Sequence, residues 1–175
     1  AAGSGGIDGA NGDAAPATDL DGSARRDDPG MPNRGAGSPA QVDMGAYEFQ
    51  GDTPLPATLY VNDGTVDGDE WCTAPGDDAN DGKSPGSPAP GVRTLLDWYP
   101  ALGSGRTVRV DAGTYVGNVE LDASRSGLTL EGAGAERTTL QGDGTGPVLF
   151  LNGMTSGTVK GFTITGGGTS SLHGG

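Results

Sequence analysis

Short apolar runs recur along the second half of the chain, separated by stretches rich in glycine. Within most runs every second residue is apolar, which is the alternation of a strand that buries one face. The pattern predicts strands at residues 107–110, 118–121, 128–130, 138–140, 148–151, 158–160 and 162–164. Two earlier runs, 41–49 and 58–61, predict one strand each. The chain is therefore expected to be all-β, with short strands and tight glycine corners.

One constant spacing, of about 20 residues, connects these strands. Three sets of positions repeat it: Val108, Leu128 and Val148; Val110, Leu130 and Phe150; and Val119, Thr139 and Val159. The first two sets form one ladder, and the third set forms a second ladder about half a turn away. Two interleaved ladders with one period predict a solenoid of parallel strands, in which each turn contributes a strand to each of two faces. An antiparallel sandwich or barrel would explain the short strands but not the constant spacing. We expect about three turns over residues 106–165, with Val110, Leu130 and Phe150 in one interior column.

One short helix is predicted ahead of the solenoid, after a long loop at residues 62–91. Apolar residues at helical spacing form one face: Val92, Leu95, Leu96, Tyr99 and Leu102. Pro100 and Gly103 limit this helix to two or three turns.

The amino-acid totals favour a thin core and an acidic surface. The 175 residues include 35 glycines and only 5% aromatic residues, which is little large apolar material for a conventional two-layer domain. The net charge of -13 repels polyanions and argues against nucleic acid or an anionic membrane surface as a partner. No apolar run is long enough to cross a bilayer. The single cysteine, Cys72, excludes an internal disulfide and is expected to be a free thiol or to pair with another chain.

Three segments of residues 59–167 carry recognisable motifs. Residues 107–115 read Thr-Val-Arg-Val-Asp-Ala-Gly-Thr-Tyr, residues 76–85 read Gly-Asp-Asp-Ala-Asn-Asp-Gly-Lys-Ser-Pro, and residues 161–167 read Gly-Phe-Thr-Ile-Thr-Gly-Gly. They resemble the opening motif, the acidic element before it and a coil motif of pectate-lyase-like right-handed parallel β-helices. The resemblance implies a right-handed solenoid with a short N-terminal capping helix.

A second resemblance precedes the first along the chain. Residues 19–25 read Asp-Leu-Asp-Gly-Ser-Ala-Arg and residues 42–48 read Val-Asp-Met-Gly-Ala-Tyr-Glu. These are similar to the ending of bacterial surface β-helix proteins of the choice-of-anchor Q type, with Met44 where isoleucine is usual. The implied order is tandem: residues 1–50 close a preceding β-helix module, 51–58 form a linker, 59–105 form an N-terminal cap, and 106–175 form the first turns of the next β-helix.

One acidic loop is the predicted metal site. Asp77, Asp78, Asn80 and Asp81 place four oxygen-bearing side chains within five positions. Calcium takes about six to eight oxygen ligands, and close carboxylates repel one another unless a cation neutralises them. Weakly bound calcium is therefore the predicted cofactor, with the acid-rich stretch 63–70 as a source of further ligands. The alternative is an Asx-rich turn, in which the same side chains accept hydrogen bonds from their own backbone.

No complete catalytic set is recognisable in the sequence. The lone histidine, His173, lies far from Cys72 along the chain, and a histidine in a glycine-rich tail is expected to be solvated. Lyases of the resembled superfamily use a basic residue to abstract a proton, and five residues are candidates by type alone: Arg106, Arg109, Arg125, Arg137 and Lys160. Strand parity instead predicts that Arg109 and Glu120 form an exposed cross-strand charge pair.

These observations favour a structural or adhesive protein of the extracellular space or cell surface, built of tandem modules and without enzymatic activity. Because only nine residues, 50–58, lie between Phe49 and Leu59, we expect self-association along the solenoid axis, with residues 41–61 at the contact and a filament as the product. Cell-surface polysaccharide is a further expected partner. The alternatives are a carbohydrate-binding module and a carbohydrate-active β-helix enzyme, a polysaccharide lyase or glycoside hydrolase, whose catalytic turns lie outside this segment.

Overall fold

The computed structural model of the protein describes residues 8–44, 46–47, 53–103 and 105–168. The chain divides into two compact units, Ala1–Leu55 with Asp97–Pro100, and Pro56–Leu96 with Ala101–Gly175.

The described part of the first unit is mostly irregular. It contains a 3-10 turn at Gly12–Ala14 and an antiparallel bridge between Thr18 and Ala24. The strand predicted at 41–49 is absent at residues 41–44, 46 and 47, and the remainder of that prediction lies outside the described residues. Val42 is buried and its carbonyl accepts a hydrogen bond from the Ala10 N–H, but this contact is not repeated as a ladder among the described residues. Among the described residues of this segment, Val42 and Asp43 are buried, whereas Met44 and Tyr47 are exposed.

Nine strands and one α-helix account for the regular structure of the described residues. In chain order they are β1 (Thr58–Val61), α1 (Val92–Trp98), β2 (Thr107–Val110), β3 (Gly113–Val116), β4 (Val119–Asp122), β5 (Thr129–Gly132), β6 (Thr138–Gln141), β7 (Leu149–Asn152), β8 (Thr158–Lys160) and β9 (Thr163–Thr165). The chain is thus mostly β with one short helix, as predicted.

All of the pairings between these strands are parallel, which confirms the predicted strand direction. The first sheet has the order β1-β2-β5-β8, the second β3-β6-β9 and the third β4-β7. From β2 onward the chain enters the first, second and third sheets in strict rotation, completes this circuit twice, and then enters the first and second sheets again.

The predicted constant spacing between stacked residues is wrong. In the first sheet Val108 pairs with Leu130 rather than with Leu128, and Leu130 pairs with Val159, so the second step along the chain is longer than the first. The steps in the second and third sheets differ from these and from each other. Phe150 does not share an interior column with Leu130, because it lies on β7, pairs with a residue of β4 and is 48% exposed.

The spacing fails because each circuit contains three strands rather than two. The apolar pattern does not predict β3, whose sequence Gly-Thr-Tyr-Val begins with glycine and carries only one buried side chain, Tyr115. The corners between strands also differ in length, so hydrogen-bond register rather than a fixed period decides which residues stack. As a result Val119, Thr139 and Val159, predicted to form one ladder, lie in the third, second and first sheets.

Each of the three sheets contributes buried apolar side chains to the core of the second unit. Alternate residues of β1, β2 and β5 are buried, and Leu59, Val108 and Leu130 form one column in register. Tyr115 and Leu140 form the corresponding column of the second sheet, and Leu121 is buried on the third. Each circuit therefore buries only a few apolar side chains, as the low aromatic content requires.

The outer edge of β1 is covered by the loop that follows it. The Tyr60 N–H donates to the Gly82 carbonyl at 2.7 Å, and the Ala89 N–H donates to the Tyr60 carbonyl at 3.0 Å. Val61 and Ala89 form a parallel bridge. Apart from this bridge, residues 62–91 are loop as predicted. Covering an edge in this way removes a site at which another strand could add.

The predicted helix is confirmed as α1, although it is shorter than its apolar face. It ends at Trp98, and Tyr99 and Leu102 are buried beyond its end. The buried Arg125 guanidinium donates to the Leu96 carbonyl at 2.8 Å, which gives the last turn of the helix a partner for one of its free carbonyls. In the described part of the chain no helix is long and apolar enough to span a membrane.

Candidate functional site

A single carboxylate anchors the long loop to the start of the sheets. Asp111 follows β2 and is fully buried. Its Oδ1 accepts from the N–H groups of Glu70 and Ala112 at 2.7 and 3.0 Å, and its Oδ2 accepts from those of Trp71 and Cys72 at 2.8 and 2.7 Å. Burial alone would raise the pKa of Asp111, but these four donors, led by Cys72, hold the pKa below its ordinary value.

Asn62 organises the other side of the same loop. This fully buried side chain donates through Nδ2 to the carbonyls of Thr65 and Ala74 and to Asp69 Oδ2, at 2.8, 2.9 and 2.6 Å. Burial raises the pKa of Asp69, the hydrogen bond from Asn62 opposes this, and the negative charges of Asp111 and Asp63 add to the increase. Asp111 and Asn62 together fix where the loop presents Trp71.

Trp71 lies against a row of charged residues on the outward face of the first sheet. The Arg109 guanidinium stands 4.9 Å from the centre of the Trp71 ring, within the range of a cation–π contact. Arg109, Glu131 and Lys160 are in register on β2, β5 and β8. Glu131 accepts from Lys160 at 2.7 Å and faces Arg109 Nε at 3.5 Å, and the Lys160 contact is the main reason that its pKa is lowered.

The predicted pairing of Arg109 with Glu120 is not formed. Glu120 lies on β4 in the third sheet, where its carboxylate accepts from Asn152 Nδ2 at 2.8 Å. The partner of Arg109 is Glu131, because β2 pairs with β5 and not with β4. The alternation of side chains along each strand was sufficient to predict that Arg109 and Glu120 face outward. The choice of an ion-pair partner for Arg109 depends on how the chain rotates through the three sheets.

The predicted calcium residues lie in one loop, and their side chains serve its turns. Asp77 Oδ1 accepts from the Ala79 N–H at 2.7 Å, and Asp81 Oδ1 accepts from the Lys83 N–H at 3.0 Å. Asn80 Nδ2 donates to the carbonyls of Pro75 and Pro88. Among the described residues no three His, Cys, Asp or Glu side chains form a group that could hold a metal ion. These bonds are the Asx-turn contacts of the alternative interpretation, and calcium at this loop stays a prediction.

Asp78, the fourth of these residues, lines a cleft instead. The cleft has a volume of about 310 Å³ and lies between the cap, which contributes Arg93 and Thr94, and β3, which contributes Thr114 and Val116. Its size is at the lower end of the range for small-ligand pockets. A carboxylate, a guanidinium and two hydroxyls suit a small polar ligand.

The three sheets end in apolar side chains on the side opposite β1. Leu151, Val159 and Ile164 lie in register with the buried residues Leu121, Leu130 and Leu140 of the preceding circuit. Leu151 is 56% exposed and Ile164 is 50% exposed. In the described part of the chain no strand pairs with the outer edge of β7, β8 or β9. This apolar rung, defined here as Leu151, Val159 and Ile164, has no counterpart at the covered edge of β1.

The remaining candidate catalytic residues are dispersed. Cys72 is buried, and burial together with the adjacent Asp111 carboxylate raises the pKa of its thiol, the opposite of what a nucleophilic cysteine needs. Arg137 pairs with Glu70, and Arg125 holds backbone carbonyls. His173 lies outside the described residues.

Sequence reasoning did not predict the roles of Asp111 and Asn62 or the contact between Trp71 and Arg109. The available signal was an aspartate placed directly after a strand in the motif Val-Asp-Ala-Gly-Thr-Tyr, but three of its four donors come from residues about 40 positions away. The row of Arg109, Glu131 and Lys160 needs the observed register, which a constant period does not give.

Comparisons with known proteins assign no family to the chain. No family model matches it, and searches among curated proteins and among solved structures found no similar protein. The resemblance to pectate-lyase-like and choice-of-anchor proteins therefore rests on the quoted motifs.

Proposed function

We propose that the chain is a structural or adhesive module of an extracellular or cell-surface protein, and that its three sheets form a right-handed parallel β-helix. The support for this fold is the strict rotation of the chain through three parallel sheets, each of which carries buried apolar side chains. The proposed location and handedness rest on the motif resemblances, and the acidic net charge of -13 suits a hydrated surface module.

The observation that carries the proposal is the difference between the two ends of the sheets. One end is closed, because Gly82 and Ala89 cover the outer edge of β1. The other end presents the apolar rung, where half or more of the Leu151 and Ile164 side chains is exposed. An apolar rung with free strand edges is a surface that a further rung would bury.

Strand addition within the contact predicted at residues 41–61 would have to displace Gly82 and Ala89 from the outer edge of β1. In a preparation of this chain the further rung comes from a second copy, with the two apolar rungs facing each other. Because only one of the two sheet ends is uncovered in the described residues, such a contact between two copies of this segment would close at two copies.

Sedimentation velocity over a range of protein concentrations tests this proposal. The wild type should shift from monomer to dimer as concentration rises, and a Leu151→Ser, Ile164→Ser variant should remain a monomer. Val116→Ser is the matched control, because Val116 is 71% exposed on β3 but is not part of the apolar rung. A wild type that stays monomeric throughout, or a rung variant that dimerises like the control, would contradict the proposal.

Polysaccharide recognition is a second candidate, favoured by the outward face of the first sheet. Trp71 offers an aromatic face, and Arg109 and Lys160 flank the one carboxylate of Glu131. Aromatic rings with adjacent cations suit acidic sugars. Calorimetric titration with uronic-acid oligomers should detect binding that Trp71→Ala weakens about 10-fold and that Phe150→Ala, on another sheet, leaves unchanged. Equal affinity in both variants would remove this candidate.

A further inference from the structure

Three buried side-chain oxygens in the first unit have no hydrogen-bond donor. Asp8 is fully buried, and its Oδ1 has no partner. The Oδ1 atoms of Asp27 and Asn33 are likewise buried without a partner. Leaving a carboxylate oxygen away from water without a donor or a cation is costly. These three atoms therefore need an explanation that the protein groups around them do not provide.

Backbone contacts bring the segments carrying these oxygens to Asp8. The Asp28 N–H donates to Asp8 Oδ2 at 3.3 Å, so the residue that follows Asp27 touches the Asp8 carboxylate. The N–H groups of Arg34 and Gly35 both donate to the Asp8 carbonyl at 3.0 Å, which places the residue that follows Asn33 against the same backbone. One segment with an unpaired oxygen thus contacts the Asp8 side chain, and the other contacts the Asp8 backbone carbonyl.

Asp28 and Asp43 accept hydrogen bonds, whereas Asp8 Oδ1 and Asp27 Oδ1 have no donor. Asp28 Oδ1 accepts from the N–H groups of Gly30 and Thr53, and its Oδ2 accepts from Thr53 Oγ1. Asp43 Oδ1 accepts from the Asp8 N–H at 2.9 Å. Burial, and then the negative charges of Asp27, Asp43 and Asp28, raise the pKa of Asp8 to about 7. The surroundings of Asp8 are therefore negative, and their unpaired atoms are oxygens.

We propose that the first unit binds a calcium ion through Asp8, with Asp27 and Asn33 supplying further oxygen ligands. Carboxylate and amide oxygens without nitrogen or sulfur donors are the ligand set of a hard cation. Irregular loop segments suit calcium better than magnesium, because calcium accepts flexible coordination geometry. A divalent cation gives the unpaired oxygens a partner. It also offsets the negative charge of the carboxylates, which burial disfavours. This site is separate from the predicted loop at Asp77–Asp81, which belongs to the second unit.

Calcium titration of the metal-stripped full chain, followed by two-dimensional amide NMR, tests the site. The amide signals of Asp28, Arg34 and Gly35 should shift with calcium, and the melting temperature should rise with the logarithm of free calcium. Magnesium at the same concentrations should have a much smaller effect. Asp8→Asn keeps an acceptor for the Asp28 N–H but should lower calcium affinity by at least about 10-fold.

Two further variants make the result decisive. Asp27→Asn removes a charge without touching the contact to Asp28, and should weaken calcium binding even if Asp8→Asn folds poorly. Asp21→Asn is the control, because Asp21 is an exposed acid of the same unit whose Oδ1 accepts from the Ser23 N–H in a local turn. This variant should leave the titration unchanged.

If calcium fails to move the three amide signals, or moves them equally in Asp27→Asn, the proposal is wrong. Signals that respond to pH alone, with a midpoint near the raised pKa of Asp8, would identify a proton on Asp8 instead of a cation.

Discussion

Asp111 shows how one residue can fix a loop of this length. Its two carboxylate oxygens accept four N–H donors, three of which come from the consecutive residues Glu70, Trp71 and Cys72. Four donors replace the water that a buried carboxylate loses, so the charge is stable inside the protein. The position of Trp71 over Arg109 follows from this arrangement.

Replacing Asp111 by asparagine should release the loop. The new amide group would point N–H donors at existing N–H donors, so we expect a loss of about 3 kcal/mol in the free energy of unfolding. Cys72 is the only cysteine and is 7% exposed, so its rate of labelling by a thiol reagent in native conditions reports the loop directly. The Asp111→Asn variant should label much faster than the wild type. Asp143→Asn, an exposed aspartate in a different turn, should label at the wild-type rate.

The two units should respond to pH in opposite directions. The pKa of Asp111 is lowered on folding, so its contribution is present above the unfolded value of about 3.9 and is lost as pH falls through its folded pKa. The pKa of Asp8 is raised to about 7, so without calcium the first unit should lose stability as pH rises from about 4 to 7. Amide exchange at Cys72 and at Asp28 would follow the two units separately. Parallel trends at both amides would contradict this expectation.

At the scale of elements, the stacking of circuits depends on close backbone approach at one corner. Gly132 ends β5 and Gly161 follows β8, one position beyond the paired residues Glu131 and Lys160. A Cβ added at Gly132 would overlap the Gly161 carbonyl oxygen, and one added at Gly161 would overlap the Gly132 carbonyl oxygen. Gly161 also adopts a φ of 76°, in the left-handed region that favours glycine.

Alanine at Gly132 should therefore separate β5 from β8. The overlap is with backbone, which cannot rotate away, so we expect a loss of about 1 to 3 kcal/mol in the free energy of unfolding. Gly146→Ala is the matched control, since no heavy atom lies within 4 Å of its added Cβ. Denaturant unfolding of the two variants provides the measurement, and equal midpoints would show that the corner relaxes without cost.

The contrast between predicted strands and predicted register has a physical basis. Alternation predicted β2 at its observed bounds because inward burial of Val108 and Val110 leaves a local trace in the sequence. Register has no such trace, because it depends on corner lengths and on the unpredicted β3. The same reason limits how much of the candidate site could be predicted from the sequence. The Asx turns of Asp77 and Asp81 are local and follow from residue type, whereas the Arg109–Glu131–Lys160 row depends on which circuits stack.

At the scale of the whole chain, charge and apolar surface act against each other. The chain carries a net charge of -13, so two copies repel one another at low ionic strength. The apolar rung attracts a second copy through burial of Leu151, Val159 and Ile164, a contribution that salt does not screen. Association between copies should therefore be limited by charge rather than by the fit of the rung.

Raising the salt concentration should consequently strengthen association of the wild type. Between about 0.01 M and about 0.15 M salt the screening length falls from about 30 Å to about 8 Å, which removes most of the repulsion between copies but leaves the apolar contact intact. Sedimentation velocity at both salt concentrations should show more dimer at the higher one, and the Leu151→Ser, Ile164→Ser variant should be monomeric at both. Association that weakens with salt would instead mean that ion pairs hold the copies together, and the apolar rung would then not be the contact.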